Sequence, residues 1–162
     1  MKKNLLVLMF LSTTLFINLN SYATTKKSLV TKNIVMNEAE SSYEAALLER
    51  MRPLEEEFGH DLDNGSTATM VNATSILFTA WDKELNIVYK LLLEKSSKKE
   101  KINLRKVQRA WIKIKEKKAK KASEEFKDGS WEGLFYARSE LNSTRERTIE
   151  LAKLYDKKFS KK

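Results

Sequence analysis

The chain has no cysteine, one histidine, one proline and four glycines among its 162 residues. Each scarcity closes a set of options. Without cysteine there is no disulfide, no thiolate nucleophile and no thiolate zinc site. A lipid-anchored exported protein also needs a cysteine at its cleavage point, so that anchor is excluded. His60 stands alone, and no catalytic serine signature accompanies it, so neither a triad nor a zinc set can be assembled around it. So little glycine and proline makes tight β-turns scarce and leaves long helices uninterrupted. Beyond the first 19 residues no apolar run approaches the 20 or so that a membrane-spanning helix needs.

The chain does have a basic start, an apolar stretch and a small-residue end. Lys2 and Lys3 precede Leu5–Leu19, and Ser21-Tyr22-Ala23 follows. This is the order of a secretory signal peptide, with cleavage expected after Ala23. Lys and Arg number 31 against 22 Asp and Glu, a net charge of +9. Cleavage would remove two lysines and no acid, leaving 29 against 22, or +7. The expected organisation is a signal peptide over residues 1–23, a flexible leader over 24–36, one helical domain over 37–156 and a basic tail over 157–162. The expected location is periplasmic or secreted.

Apolar residues step by threes and fours along most of the domain, which predicts helices. Asn37 is placed to cap the first, with Glu38 and Glu40 in its opening turn. Its stripe is Leu47, Met51, Leu54 and Phe58, and Pro53 predicts a kink or restart. Glu55–Thr67 is an acidic island in a basic chain, punctuated by Gly59 and Gly65. Asp61–Gly65 only faintly resembles a calcium loop: the glycine comes one position early and no closing glutamate follows. A turn ending in Ser66 as the next cap is the simpler reading.

Leu77, Trp81, Leu85, Val88 and Leu92 form one stripe, and Leu104, Val107, Trp111 and Ile114 form another. A short polar break near Ser97 separates them, which predicts an antiparallel αα-hairpin. In that hairpin Asn86 comes level with Gln108, and Asp82 comes near Arg109. These four form either a mutually satisfied network that sets register or a recognition site. Lys113, Lys117, Lys120 and Lys121, with Lys115 and Lys118 between them, are candidates for an anion-binding face, and the alternative is a solvated helix face. Nucleic acid is not expected, because the chain is read as exported and no aromatics alternate with the lysines. After a turn at Lys127–Ser130, Leu134, Ala137, Leu141, Thr144, Thr148, Leu151 and Tyr155 predict a last helix against the hairpin. The fold class is therefore all-α, with three to four long helices around the hairpin. No cofactor is implied. The carboxylate pairs Asp82/Glu84 and Glu124/Glu125 diverge on a helix, so no acid–base site is read and no enzyme is expected.

The segments WDKELNIVYK and LRKVQRAWIK, then Gly-Ser and a later TRER, resemble the lysozyme inhibitor LprI-like family. The resemblance spans Ser66 to Leu154. It rests on Trp81, Asp82, Leu85, Asn86, Tyr89, Leu104, Arg105, Gln108, Arg109, Trp111, Gly129, Ser130, Thr144 and Arg147, or Arg145 in a shifted register. Many members carry cysteines beside these motifs, and this chain has none. Where the family often has Tyr-Arg-Asp, this chain has Ile114, Lys115 and Glu116. The resemblance implies a binding protein that blocks lysozyme or another envelope protein. Glu56, Glu57, Asp61 and Asp63 are then the candidate contacts with a basic enzyme. The alternative partner is an anionic envelope polymer or lipid on the lysine face.

Overall fold

The computed structural model describes residues 42–129 and 131–159. The expected signal peptide, the leader, the Asn37 cap with its glutamates, Ser130 and residues 160–162 lie outside the described residues. Among the described residues there are four long helices: α1 Tyr43–Asn64, α2 Thr67–Lys95, α3 Lys98–Ser123 and α4 Glu132–Phe159. No strand occurs among the described residues, and none of their helices is long and apolar enough to cross a membrane. The class is all-α.

Serines mark the starts. Ser42 caps α1 through its hydroxyl, which accepts from the Ala45 N–H. Ser66 caps α2 in the same way, as expected from the sequence. Ser97 begins α3 with a capping box: its hydroxyl accepts from the Glu100 N–H, and the Glu100 carboxylate accepts from the Ser97 N–H. Two extended serines, Ser96 and Ser97, make the whole turn between helices of 29 and 26 residues. Ordinary φ values suffice there, so no glycine is required.

One local expectation changes and two local features are new. First, α1 does not restart at Pro53 and runs through most of the acidic island before it ends at Asn64. Arg52 binds Glu49 at 2.6 Å and Glu56 at 3.1 Å, bridging the turns around the proline. Leu54, Phe58 and Leu62 pack against the core and carry the helix on to Asn64. The connection shrinks to Gly65 and Ser66. A Cβ at Gly65 would lie 2.5 Å from the Asp61 carbonyl oxygen, so a side chain is excluded by contact. Second, a 3₁₀ turn, Glu124–Phe126, follows α3. Third, Asp128 in the turn after it takes the left-handed region (φ 62°). Aspartate tolerates that region better than most residues, and its N–H is held by the Glu132 carboxylate at 3.0 Å.

The helices alternate in direction, and ion pairs give the register. Against α4, α1 pairs Glu44 with Lys153, Glu55 with Arg145 and Asp63 with Arg138, so the two are antiparallel. The Asp156 carboxylate, near the end of α4, accepts from the Tyr43 and Glu44 N–H groups at 2.7 and 2.9 Å. It neutralises the orphan donors of the α1 N-terminus, where the helix dipole favours an anion. Against α4, α3 pairs Glu100 with Lys158, Gln108 with Arg147 and Lys115 with Glu140, again antiparallel.

The closest packing is between α2 and α4, which run parallel. Their facing surface contains small residues. Ala73, Thr74, Thr144, Thr148 and Ala152 are all buried. Thr74 and Thr148 return their hydroxyls to carbonyls of the preceding turn, at 2.7 Å in both cases. They therefore bury no unpaired donor and let the backbones approach. Trp81, 1 % exposed, lies in this seam, with its carbonyl 3.4 Å from the Thr148 hydroxyl.

This corrects the expected hairpin seam. The chain does turn at Ser96–Ser97, and α3 runs back so that the Lys115 ammonium lies 5.3 Å from the Phe78 ring centre on α2. But α3 packs chiefly on α4 rather than on α2. α1 and α3 occupy opposite sides of the α2–α4 pair.

Trp81→Ala is expected to cost about 3–5 kcal/mol, the usual range for emptying a buried tryptophan site. Ile102→Ala, at a position 61 % exposed, is expected to stay within about 0.5 kcal/mol. Urea unfolding of the two variants checks this, and equal costs would contradict the placement of the core.

Candidate functional site

Three of the residues singled out from the sequence, Trp81, Gln108 and Trp111, meet two arginines of α4. Arg145 and Arg147 are two positions apart, so they project to opposite flanks of that helix. Arg145 faces α1. Its guanidinium grips the Glu55 carboxylate at 2.9 and 3.1 Å and lies 5.7 Å from the Trp81 ring centre. Glu55 also accepts from the Trp81 indole N–H at 3.2 Å. One carboxylate thus satisfies the indole and ties three helices together.

Arg147 faces α3 and is only 5 % exposed. Its Nε donates to Gln108 Oε1 at 3.1 Å, its Nη1 pairs with Glu150 at 2.8 Å, and its guanidinium lies 6.0 Å from the Trp111 ring centre. A buried guanidinium is tolerated because carboxylate, amide oxygen and ring meet it together. One turn on, Lys115 pairs with Glu140 at 3.0 Å and sits 5.7 Å from the same Trp111 ring centre. Arg147 also borders a cleft of about 380 Å³ between α2, α3 and α4. Leu92, Leu104, Leu151 and Leu154 give it an apolar lining, and Glu100 and Lys158 are among its polar residues.

The structure sorts the sequence candidates. Trp81, Leu85 and Leu104 are buried core, while Tyr89 and Trp111 are half-buried against it. Thr144 is buried beside Thr148, and Arg147 rather than Arg145 joins the Gln108–Trp111 motif. The four-residue network expected across the hairpin does not form. Asn86 donates to Asp82 along its own helix, at 3.0 Å to the carboxylate and 2.8 Å to the backbone carbonyl. Gln108 turns to Arg147. Arg105 and Arg109 face solvent. The reason is the intervening α4, which supplies Gln108 with a charged donor. Gly129 lies in the turn before α4, where its N–H donates to the Phe126 carbonyl at 3.0 Å.

The acidic candidates sit on a helix rather than a loop. Glu56 is paired with Arg52 and Asp63 with Arg138. Glu57 is exposed, and Asp61 is 3.8 Å from His60. Lys113, Lys117, Lys120 and Lys121 are exposed on α3. Sequence reasoning missed Glu55 and Glu140 as partners. Only the tertiary arrangement, at separations of 90 and 25 residues, reveals them. Among the described residues no group of three or more acidic or histidine side chains is arranged to hold a metal ion.

The described fold is a helical scaffold whose polar motif residues knit helices together, without a convergent acid–base pair. A family model described as lysozyme inhibitor LprI matches residues 60–151. The chain belongs to that family, whose named activity is inhibition and not catalysis. No curated protein and no solved structure matches the chain. The matched span takes in the end of α1, all of α2 and α3 and most of α4, including both arginine clusters.

One carboxyl of the framework has a measurable signature. The Lys158 ammonium, with help from Ser97, holds Glu100 down to about 2 from its ordinary 4.5. A group depressed on folding stabilises the fold fully above its unfolded value, and that contribution is lost as pH falls through the folded value. The window for Glu100 is thus from about 4.5 down to about 2. Carboxyl-carbon NMR is expected to show Glu100 titrating near 2 and moving up towards 4.5 in Lys158→Gln. An ordinary midpoint in the native protein would contradict the contact.

Proposed function

We propose that this protein is an exported inhibitor that binds lysozyme by protein–protein contact and has no turnover of its own. The observation that carries the reading is the lysozyme-inhibitor family match across residues 60–151. An inhibitor needs only a rigid surface that fills the enzyme's cleft and keeps substrate out. The four-helix scaffold suits that task, because sites on packed elements are held more firmly than sites on free loops. Export is attributed to the signal peptide Met1–Ala23, so the intact mass of the exported protein should begin at Thr24.

The proposed contact is the outer face of α1 towards its C-terminal end, with Glu56, Glu57, Asp61 and Asp63. Lysozymes of the animal type are basic, and a net positive partner would be repelled if its charge were evenly spread. The charge here is not evenly spread. α1 carries seven acids against two arginines. α3 carries ten lysines and two arginines against two glutamates, a net +10. That exceeds the +9 of the whole chain, so the remaining residues together net −1. α1 and α3 lie on opposite sides of the α2–α4 pair, so an enzyme approaching α1 meets the acidic side. The acid pairs already in place on α1 are solvent-exposed, where ion pairs are worth little and exchange partners readily.

The test is a lysozyme activity assay with native protein and a variant in which Glu56, Glu57, Asp61 and Asp63 become the matching amides. Native protein is expected to inhibit, and the variant to inhibit at least about tenfold more weakly, equivalent to about 1.4 kcal/mol, with unchanged helicity. Added salt should weaken the native protein more than the variant. No inhibition at high micromolar excess of native protein would end the inhibitor reading. Equal inhibition by the two proteins would leave inhibition standing and move the contact off α1.

A further inference from the structure

The α3 surface is charged more strongly than a soluble scaffold requires, and part of it is apolar. Ile102, Lys106, Arg109, Lys113, Lys117 and Lys120 step by threes and fours along one face, and all of them are exposed. No ion pair to these lysines or to Arg109 occurs among the described residues; the pairs that α3 forms with α4 use Glu100 and Lys115. Ile102 stands on this line, and further exposed aliphatics flank it, Val107 and Ile114 towards α4 and Ile112 on the other side. Ile102 is 61 % exposed, Ile114 is 55 % exposed, and Val107 and Ile112 are also open to solvent. The chain leaving α3 adds Trp131, 43 % exposed, in a stacked group with Phe126 and Phe135.

Two partners suit dense positive charge: a dissolved polyanion and an anionic lipid surface. A dissolved polyanion rewards the lysines alone. A lipid surface rewards both features, since apolar side chains enter the acyl boundary while lysine heads stay with the phosphates. Tryptophan too belongs at such boundaries. Of the eight large hydrophobic residues that stand exposed among the described residues, five lie on α3 or the connection after it. That concentration of apolar exposure beside the lysines decides between the partners.

We infer that the outer face of α3 is a docking surface for an anionic lipid bilayer. It lies flat on the headgroups with Lys106, Lys113, Lys117 and Lys120 over the phosphates, Ile102 dipping below them and Ile114 entering at the edge towards α4. The acidic side of α1 then points away from the bilayer. This does not rest on lysozyme inhibition, and either property can stand without the other.

The experiment is sedimentation of the full chain with vesicles of phosphatidylglycerol and phosphatidylcholine in equal parts, against vesicles of phosphatidylcholine alone. The neutral vesicles set the baseline, including any contribution of residues 1–41, which every variant shares. Each lysine near an anionic surface is worth about fivefold in binding. The combined variant Lys106→Gln, Lys113→Gln, Lys117→Gln, Lys120→Gln is therefore expected to lose at least about a hundredfold of its preference for anionic vesicles. Circular dichroism of each variant confirms that the helices persist. Ile102→Ser with Ile114→Ser keeps the charge and is expected to weaken vesicle binding while leaving binding to soluble polyphosphate unchanged. Native protein with no preference for anionic vesicles would overturn the proposal, and so would a four-lysine variant that binds like native. If the isoleucine variant binds vesicles as native does, and polyphosphate competes the protein off, the face serves a dissolved polyanion and the lipid assignment is wrong.

Discussion

The contact between α2 and α4 decides the rest of the arrangement. Their facing residues are small, and the threonine hydroxyls at positions 74 and 148 are returned to their own helices. Two parallel helices can therefore approach closely around Trp81, and among the described residues the Thr144 hydroxyl is the one seam hydroxyl left buried without a partner. In an up-down bundle these two helices would usually be diagonal partners. Their direct contact leaves no central channel for α1 and α3 to share, so each takes its own side. Arg145 and Arg147 reproduce that division in miniature, one reaching to Glu55 on α1 and the other to Gln108 on α3.

That division is also what gives the molecule an electrical direction. The acids concentrated on α1 and the bases on α3 would cancel in part if the helices were neighbours. Held apart by two helices, roughly 20 Å at ordinary interhelical spacing, they lie more than twice the Debye length at physiological salt. A basic enzyme and an anionic surface can then be met on different sides of the same small protein. The net charge of the chain conceals this, because one helix carries more positive charge than the whole.

Much of the fold was legible in the sequence because helix periodicity and capping are local. The stripe through Trp81, the cap at Ser66, the turn near Ser97 and the final helix with Thr144 and Leu151 all follow from spacing and side-chain chemistry, whereas of the stripe through Trp111 only Leu104 and Trp111 face inward and Val107 and Ile114 are exposed. Two features were not legible. Pro53, Gly59 and the acids of Glu55–Thr67 carry turn signals, yet tertiary contacts of Leu54, Phe58 and Leu62 keep that stretch helical. The partner of Gln108 was also hidden. Antiparallel arms do bring Asn86 level with it, but whether they touch depends on what a third helix inserts, and pairwise reasoning cannot see that. Family membership was carried by residues that prove to be mainly framework. Trp81, Leu85, Leu104, Gln108 and Trp111 therefore identify the scaffold more directly than they identify the surface that binds.

The most direct test of this arrangement is a pair of double-mutant cycles read by denaturant unfolding. One cycle combines Gln108→Ala with Arg147→Ala, and the other combines Gln108→Ala with Asn86→Ala. Residues in contact typically couple by about 0.5–3 kcal/mol, and distant ones add within about 0.5 kcal/mol. A coupling of about 1 kcal/mol or more is expected between Gln108 and Arg147, where a hydrogen bond joins them, and none between Gln108 and Asn86. The reverse pattern would mean that the two arms meet each other directly and that α4 does not lie between them.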